Sequence, residues 1–270
     1  MSDRRFDFSN ARVKTPWRGG PETAEVRIPT QHVVRVSVLD LLDRPGGARD
    51  RQLLYNDVVE VLEVHEGYAF LQAGASGYVG YAVADALAPH PQEPVPEHWV
   101  AARSSHAYAE PDIKSQDVMA LSMGTQVSVL GAQNGMVETE AGWVPEQHLS
   151  NQVETDPVAV AERLLGTPYL WGGNSAWGID CSGLVWSAFL FCGQMLMPDS
   201  DLQRKHDGEA IEDGSVTRGD LWFWDGHVAM VADETRLIHA NAHYMAVVFE
   251  NSDDALERIG PTTARKRISR

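Results

Sequence analysis

The sequence predicts an α+β protein, with two small all-β units ahead of a domain in which helices pack on an antiparallel sheet. Three observations lead there. Between residues 31 and 150 the apolar residues fall in short β-branched or alternating runs, punctuated by turns such as Pro45-Gly46-Gly47 and Gly74-Ala75-Ser76-Gly77. The plan occurs twice, in copies of about 60 residues that close on Gly80-Tyr81-Ala82-Val83 and on Gly142-Trp143-Val144. From Asp156 onward, capped helical runs are followed by further strand-like runs.

Composition narrows the partners. At 270 residues the chain can hold two or three domains with sizeable cores, and 43% hydrophobic with 22% charged residues is the balance of a globular protein. A net charge of -16 argues against a nucleic-acid partner and fits poorly with adhesion to an anionic membrane. A small or cation-bearing substrate remains. The start, Met1-Ser2-Asp3-Arg4-Arg5-Phe6-Asp7, has no apolar signal core, and no run of membrane-spanning length follows. A cytoplasmic protein is the expectation if this is the native start. The two cysteines, Cys181 and Cys192, would lie about 16 Å apart on one helix, beyond disulfide reach. Free thiols suit a reducing compartment, and Cys192 reads as a core residue.

Each element follows from local pattern. Residues 1–30 are polar with several Pro and Gly, as expected of an arm lying over the folded part. A first β unit, 31–92, offers strands at 32–38, 58–64 and 68–71; a second, 93–150, offers them at 118–121, 125–130, 136–139 and 142–145. Pro89, Pro91, Pro94 and Pro96 mark the linker between them. The third domain covers 151–270. Asp156-Pro157 opens a helix over 157–165 that Gly166 stops. A turn-rich aromatic loop, Tyr169-Leu170-Trp171-Gly172-Gly173, then leads to Asp180-Cys181-Ser182-Gly183 and the apolar helical run 184–191. A polar loop is expected over 198–219. Strands are expected at 220–224, 227–232, 237–240 and 245–250, with Asp225-Gly226 as a two-residue hairpin turn.

The chemistry starts at Cys181. In the first turn of a helix its thiol meets the positive end of the helix dipole, which favours the thiolate. Asp180 or Ser182 can cap the unpaired backbone donors there. The bland alternative is a small residue filling a helix start. A cysteine nucleophile needs an imidazole and a third polar group to orient it. His227 opens a strand directly after the hairpin turn, and His239 lies twelve residues on in the next strand. The two share a face only if the loop between the paired strands has an odd number of residues. Each histidine alone could instead be a hydrogen-bonded structural residue, and His243 reads as loop. Cys181, His227 and His239 would also make an open zinc site, but no His-Glu-x-x-His and no Cys-x-x-Cys supports one.

Five motifs then carry a resemblance. Tyr169-Leu170-Trp171-Gly172-Gly173, Asp180-Cys181-Ser182-Gly183, Gly219-Asp220-Leu221-Trp222-Phe223-Trp224, Gly226-His227-Val228-Ala229-Met230 and Ile238-His239-Ala240 occur in this order. Over residues 156–255 the chain resembles the NlpC-type cell-wall cysteine peptidases, a papain-like family. The β units ahead resemble tandem bacterial SH3-like domains. The resemblance implies an α+β architecture, a papain-like catalytic domain preceded by two small SH3-like β-barrels. It implies no cofactor, Cys181 as nucleophile, His227 as general base and acid, and His239 as the residue orienting His227. Tyr169, with the Cys181 amide, would assist the oxyanion site, and Trp171 would line the substrate cleft.

The whole arrangement is similar to the γ-D-glutamyl-L-diamino acid endopeptidases (dipeptidyl peptidase VI type), which trim murein peptides bearing a free N-terminal L-alanine. By that resemblance the ammonium is held by Asp180, Ser182 and Ser200, and a Glu and a Tyr of the first SH3-like domain close the cleft. Asp57 and Tyr78 are the candidates for those two positions. Asp57 departs from the expected Glu, and the loop ahead of Ser200 lacks the arginine usual there. The implied partner is a murein-derived tripeptide or longer stem peptide. Two other readings stay open here: an exported, wall-anchored murein hydrolase, and a non-catalytic peptide-binding protein.

Overall fold

The computed structural model describes residues 3–91, 93, 95–212 and 214–269, which fall into two compact units, Met1–Asn151 and Gln152–Arg270. Pro94 of the expected linker lies outside the described residues.

In the first unit, alternating sequence becomes curved antiparallel sheet. Residues 30–89 form one seven-stranded sheet, whose inward positions Val34, Leu39, Leu41, Leu53, Val59, Val61 and Leu71 make a single buried cluster. The strand expected over 32–38 divides into Thr30–Val34 and Val38–Leu42. The break is a change of partners: Val34 N–H bonds the Asp57 carbonyl, and Arg35 N–H bonds that of Ala86. Residues 98–150 form a five-stranded and a three-stranded sheet around Val100, Ala107, Leu121 and Val144. Of the run expected over 125–130, only Gln126–Val127 pairs as a strand. Both blocks close alike, on a strand, a one-turn 3-10 helix and a short strand, at Ala84–Ala86 in one and Glu146–His148 in the other. The N-terminal segment is pinned rather than loose: Phe8 and Val13 join Leu62, Phe70 and Val79 in an apolar cluster, and Arg12 pairs with Glu63 at 2.8 Å.

One turn joins the two blocks. Tyr55, 1% exposed, buries its ring in the apolar cluster of the second block, and its hydroxyl donates to the Glu140 carbonyl at 3.1 Å. Beside it Asn56 takes a left-handed backbone, φ 68°, which asparagine tolerates better than most residues. Its amide donates to the Glu140 carboxylate at 2.6 Å, and that carboxylate also accepts Ser128 N–H at 2.9 Å.

Among its described residues the second unit has a six-stranded antiparallel sheet, four α-helices and a small hairpin of Asn174–Ser175 with Gly178–Ile179. The helices are α1 (Pro157–Glu162), α2 (Cys181–Phe191), α3 (Ser200–His206) and α4 (Ser252–Ile259). The strands are β1 (Glu209–Ala210), β2 (Leu221–Trp224), β3 (His227–Val231), β4 (Arg236–Asn241), β5 (Ala246–Asn251) and β6 (Ala264–Arg267), in the order β1-β6-β2-β3-β4-β5. The Asp156 carboxylate caps α1 through Val158 N–H, with Pro157 at its first position. Helix α2 packs against α1, β3 and β4. On one sheet face Trp222, Trp224, Ala229, Val231 and Leu237 gather with Ala255, Leu256 and Ile259 of α4.

Two expectations are corrected. The stretch 198–219 is not all loop, since α3 forms within it; Ser200-Asp201 supplies an acidic first turn and Arg204-Lys205-His206 a basic last one, which suits the helix dipole. Cys192 is half-buried at the C-terminal cap of α2 rather than in the core, and neither cysteine forms a disulfide. Among the described residues no helix is long and apolar enough to cross a bilayer.

Replacing Asn56 with Ala should weaken the first unit. It removes the tolerated left-handed side chain and strips a donor from the Glu140 carboxylate. A loss of about 1–3 kcal/mol is expected, read as a lower midpoint in urea denaturation of the full chain.

Candidate active site

The first turn of α2 is built around one carboxylate. Asp180 is the N-cap, and its Oδ1 accepts Gly183 N–H at 2.6 Å and the Ser182 hydroxyl at 3.0 Å. Its Oδ2 accepts Gly172 N–H at 3.0 Å. One side chain therefore caps the helix, orients Ser182 and ties down the aromatic loop. Asp180, Cys181 and Ser182 are all buried. Gly183 has a steric reason: a Cβ there would come within 2.6 Å of the Gly173 carbonyl and 2.5 Å of Asn174 Oδ1.

The histidines depend on the β3–β4 register. The assigned strands end at Val231 and resume at Arg236, but Ala232 N–H still bonds the Arg236 carbonyl at 2.8 Å. Ala232 thus faces Arg236, and three residues, Asp233-Glu234-Thr235, make the loop. The odd count holds, and His227 and His239 share a face. Asp233 fixes this turn by accepting Thr235 N–H and Arg236 N–H. His227 itself begins β3 opposite Trp224, after the Asp225-Gly226 turn in which Gly226 takes φ 73°. His227 Nε2 lies 2.9 Å from His239 Nδ1, and the rings are 5.1 Å apart. His239 Nε2 in turn lies 2.9 Å from Glu250 Oε2, with both side chains almost wholly buried. Arg258 of α4 grips Glu250 with two bonds, at 2.9 and 2.6 Å.

The other expected residues separate into two groups. Tyr169 is half-buried, and its N–H bonds the Met245 carbonyl at 2.9 Å. Burial first, then the charges of neighbouring Cys181 and Asp180, push its phenol above the ordinary tyrosine range. Trp171 is 69% exposed, directly before the Gly172 amide held by Asp180. Ser200 opens α3. That helix is docked on α2 through buried Gln203, whose amide donates to the Ser182 carbonyl at 3.2 Å and to that of Met197 at 2.9 Å. Asp57 and Tyr78 belong to the first unit. Tyr78 packs in the first sheet's core, 6.0 Å from the Phe6 ring. The Asp57 carboxylate accepts Leu54 N–H at 2.8 Å, and burial pushes it up to about 6. His243 stands exposed in the β4–β5 turn, edge-on to Tyr244. Among the described residues no three His, Cys, Asp or Glu side chains gather as a metal site.

Sequence reasoning missed Glu250, Arg258 and Gln203. Glu250 was detectable in principle. It lies two residues past Val248, the partner of His239, and so faces the same side of the sheet.

Chemically, these are a thiol at the N-terminus of α2 and a neutral imidazole at the start of β3, a strand on which α2 packs. Burial foremost pushes His227 down to about 3, with His239 and Arg258 adding and Glu250 opposing. Burial likewise pushes His239 down to about 4, against the pull of Glu250. Uncharged at neutral pH, His227 is free to take a proton.

Comparison with known proteins places both units among known domain families. Residues 166–256 match the model of the NlpC/P60 family, and residues 41–87 match that of the bacterial dipeptidyl-peptidase Sh3 domain. The dipeptidyl-peptidase 6 of Lysinibacillus sphaericus is 27% identical over 164 residues, which cover 54% of this chain and 60% of that one. The γ-D-glutamyl-L-lysine dipeptidyl-peptidase of Bacillus subtilis (strain 168) is 32% identical over 93 residues, 32% of this chain and 31% of that one. The chain therefore spans less than two thirds of the length of these relatives. The crystal structure of an NlpC/P60 family protein from Bacillus cereus ATCC 10987 superposes with a TM-score of 0.77 over 88% of this chain and 99% of that one. At 19% identity that likeness establishes the fold, a papain-like domain with an SH3-like domain ahead of it.

Two outcomes are expected. Gly183→Ala should cost roughly 1–3 kcal/mol, because the new methyl would press on the Gly173 carbonyl, Asn174 Oδ1 and the capping carboxylate of Asp180; thermal unfolding reads this, and slower alkylation of Cys181 should accompany it. The second concerns pH. Both histidines titrate lower in the folded state than the ordinary 6.5. The unfolded chain then binds more protons below that pH, so their contribution is complete above pH 6.5 and is lost as pH falls toward 4. The Tm should decline across that window, and less steeply in His227→Gln.

Proposed function

With residues 166–256 an NlpC/P60 domain and residues 41–87 a bacterial dipeptidyl-peptidase SH3 domain, we propose that this chain is a cysteine endopeptidase of murein peptide recycling. It hydrolyses the γ-D-Glu–L-diamino acid bond of short stem peptides carrying a free N-terminal L-Ala. One observation carries the reading: a carboxylate and a hydroxyl, Asp180 and Ser182, are bonded to each other at 3.0 Å on either side of the candidate nucleophile. Acceptors so placed suit a substrate whose ammonium lies one dipeptide from the scissile carbonyl. The name of the Bacillus subtilis relative carries a γ-D-glutamyl-L-lysine bond, and both that name and the Lysinibacillus sphaericus one carry dipeptidyl-peptidase action, which supports the reading.

In this mechanism His227 takes the Cys181 proton as the sulfur attacks the γ-carbonyl carbon of D-Glu. The carbonyl oxygen develops charge beside the α2 N-terminus, where the Cys181 amide and Tyr169 are its donors. The C–N bond then breaks, and His227 returns the proton to the leaving amine of the diamino acid. A thioester to Cys181 remains. Water attacks it, giving a proton to His227, and the dipeptide leaves with its new carboxylate as the thiol is restored. Ser200 and Trp171 are assigned to substrate binding, with the ammonium held by Asp180, Ser182 and Ser200. The cytosol is the proposed setting, supported by two cysteines that are not joined in a disulfide.

L-Ala-γ-D-Glu-diaminopimelate should be cleaved to L-Ala-D-Glu, and Cys181→Ala should abolish this. N-acetylation of the alanine should lower kcat/KM by at least about 100-fold, the order of losing a charge-assisted contact. Equal cleavage of the acetylated peptide would sink the free-amine assignment. Activity that survives Cys181→Ala would sink the cysteine mechanism.

A further inference from the structure

Behind the histidine pair sits a charged group that the proposed chemistry does not yet use. Glu250 lies on β5, two residues past the partner of His239, and its side chain is 3% exposed. Four groups face it or its histidine. His239 Nε2 is 2.9 Å from Oε2, Arg258 of α4 forms a two-bond clasp, and the Tyr244 hydroxyl lies 3.5 Å from Oε1. His227 of β3 then lies 2.9 Å from the far nitrogen of His239. A buried carboxylate is expensive unless its charge is matched, and Arg258 matches it. The clasp, together with His239, holds the Glu250 carboxyl below the ordinary range against the effect of burial.

An ionised carboxylate only accepts hydrogen bonds, whereas a neutral imidazole has one donor and one acceptor nitrogen. That asymmetry propagates. With Glu250 at 2.9 Å, His239 must carry its proton on Nε2, since a bare Nε2 would set two lone pairs against each other. Nδ1 of His239 is then bare and can only accept. His227 Nε2, 2.9 Å away, must be the donor, so Nδ1 of His227 is left with a lone pair. The opposite assignment starts from a proton on His239 Nδ1 and ends with a proton on His227 Nδ1, which cannot accept one from a thiol.

We propose that Glu250 is a positioning residue that sets the tautomers of both histidines, and so makes His227 Nδ1 the proton acceptor for Cys181. Arg258 serves it by keeping the carboxylate charged. The inference rests on the reading of Cys181 and His227 as nucleophile and base, but not on the identity of the peptide. When the thiol ionises, its proton goes to His227 Nδ1, and the imidazolium retains the Nε2 proton shared with His239.

Nitrogen-15 NMR of the full chain labelled at histidine reads the tautomers directly, and the rate of alkylation of Cys181 by iodoacetamide at pH 7 reads the base. In the native protein both His227 and His239 should be Nε2–H tautomers. Glu250→Gln offers an amide that can donate as well as accept. It should mix the tautomers and slow Cys181 alkylation about 10- to 100-fold, the range for losing an outer-shell partner of a histidine. Alkylation of Cys192, at the C-terminal cap of the same helix, should not change and serves as the control for folding. A native spectrum with His239 protonated on Nδ1 overturns the proposal, whether or not the variant folds. So does a folded Glu250→Gln protein with native tautomers and native alkylation. Neither readout uses a peptide, so a failed cleavage assay beside these results would count against the proposed substrate alone.

Discussion

Ala232 and Arg236 face each other across the turn between β3 and β4, and the site depends on that pairing. Because side chains alternate along a strand, a slip of one residue would send His239 to the opposite face from His227. The pair at 2.9 Å, the contact with Glu250 and the Arg258 clasp would all be lost together. The register is held locally by the Asp233 carboxylate across the turn. It is held at longer range by burial, since Val228, Met230, Ile238 and Ala240 are fully buried on the other face. Hydrophobic burial and turn chemistry select the same alignment, and the histidines are carried by it.

A second carboxylate organises the other half of the site. Asp180 meets three donors that a helix start and a tight loop would otherwise leave unpaired. That gives it a structural task whether or not substrate is present. It also keeps a negative charge beside Cys181 that would oppose the thiolate, were Gly172, Gly183 and Ser182 not already shielding it. The same bonds fix the carboxylate in a rigid frame, and a carboxylate held in place is the form of acceptor an ammonium group can use. Capping and recognition are therefore compatible in one residue.

Local rules explain what the sequence made legible. Asp156-Pro157, Asp180 ahead of an apolar run, and Asp225-Gly226 each specify a cap or turn within a few residues, and all three formed as expected. The His227–His239 alignment could be stated only as a condition on loop length, because strand ends do not reveal where pairing stops. The helix α3 was hidden by its polarity. It is short, and its stability comes from one buried face, Leu202 and Gln203, rather than from an apolar stripe. The role of the Tyr55-Asn56 turn was also out of reach. Its aromatic ring belongs to the core of a different block, and no local pattern reports a partner more than eighty residues away. Glu250 was overlooked for a similar reason, as an acidic residue at the end of a strand ordinarily faces solvent.

The two histidines show why the charges are arranged as they are. Burial holds both neutral, so the resting site contains no net charge between Cys181 and Glu250. Proton transfer from the thiol would create an imidazolium in surroundings that disfavour it. That cation would form one ring away from a fixed carboxylate, itself already matched by Arg258. The pairing with Arg258 weakens the attraction Glu250 can offer, and this is consistent with a histidine pushed down rather than raised. A site tuned in this way favours return of the proton. Such a base gives up its proton readily to a leaving amine, the step in which His227 must act as an acid.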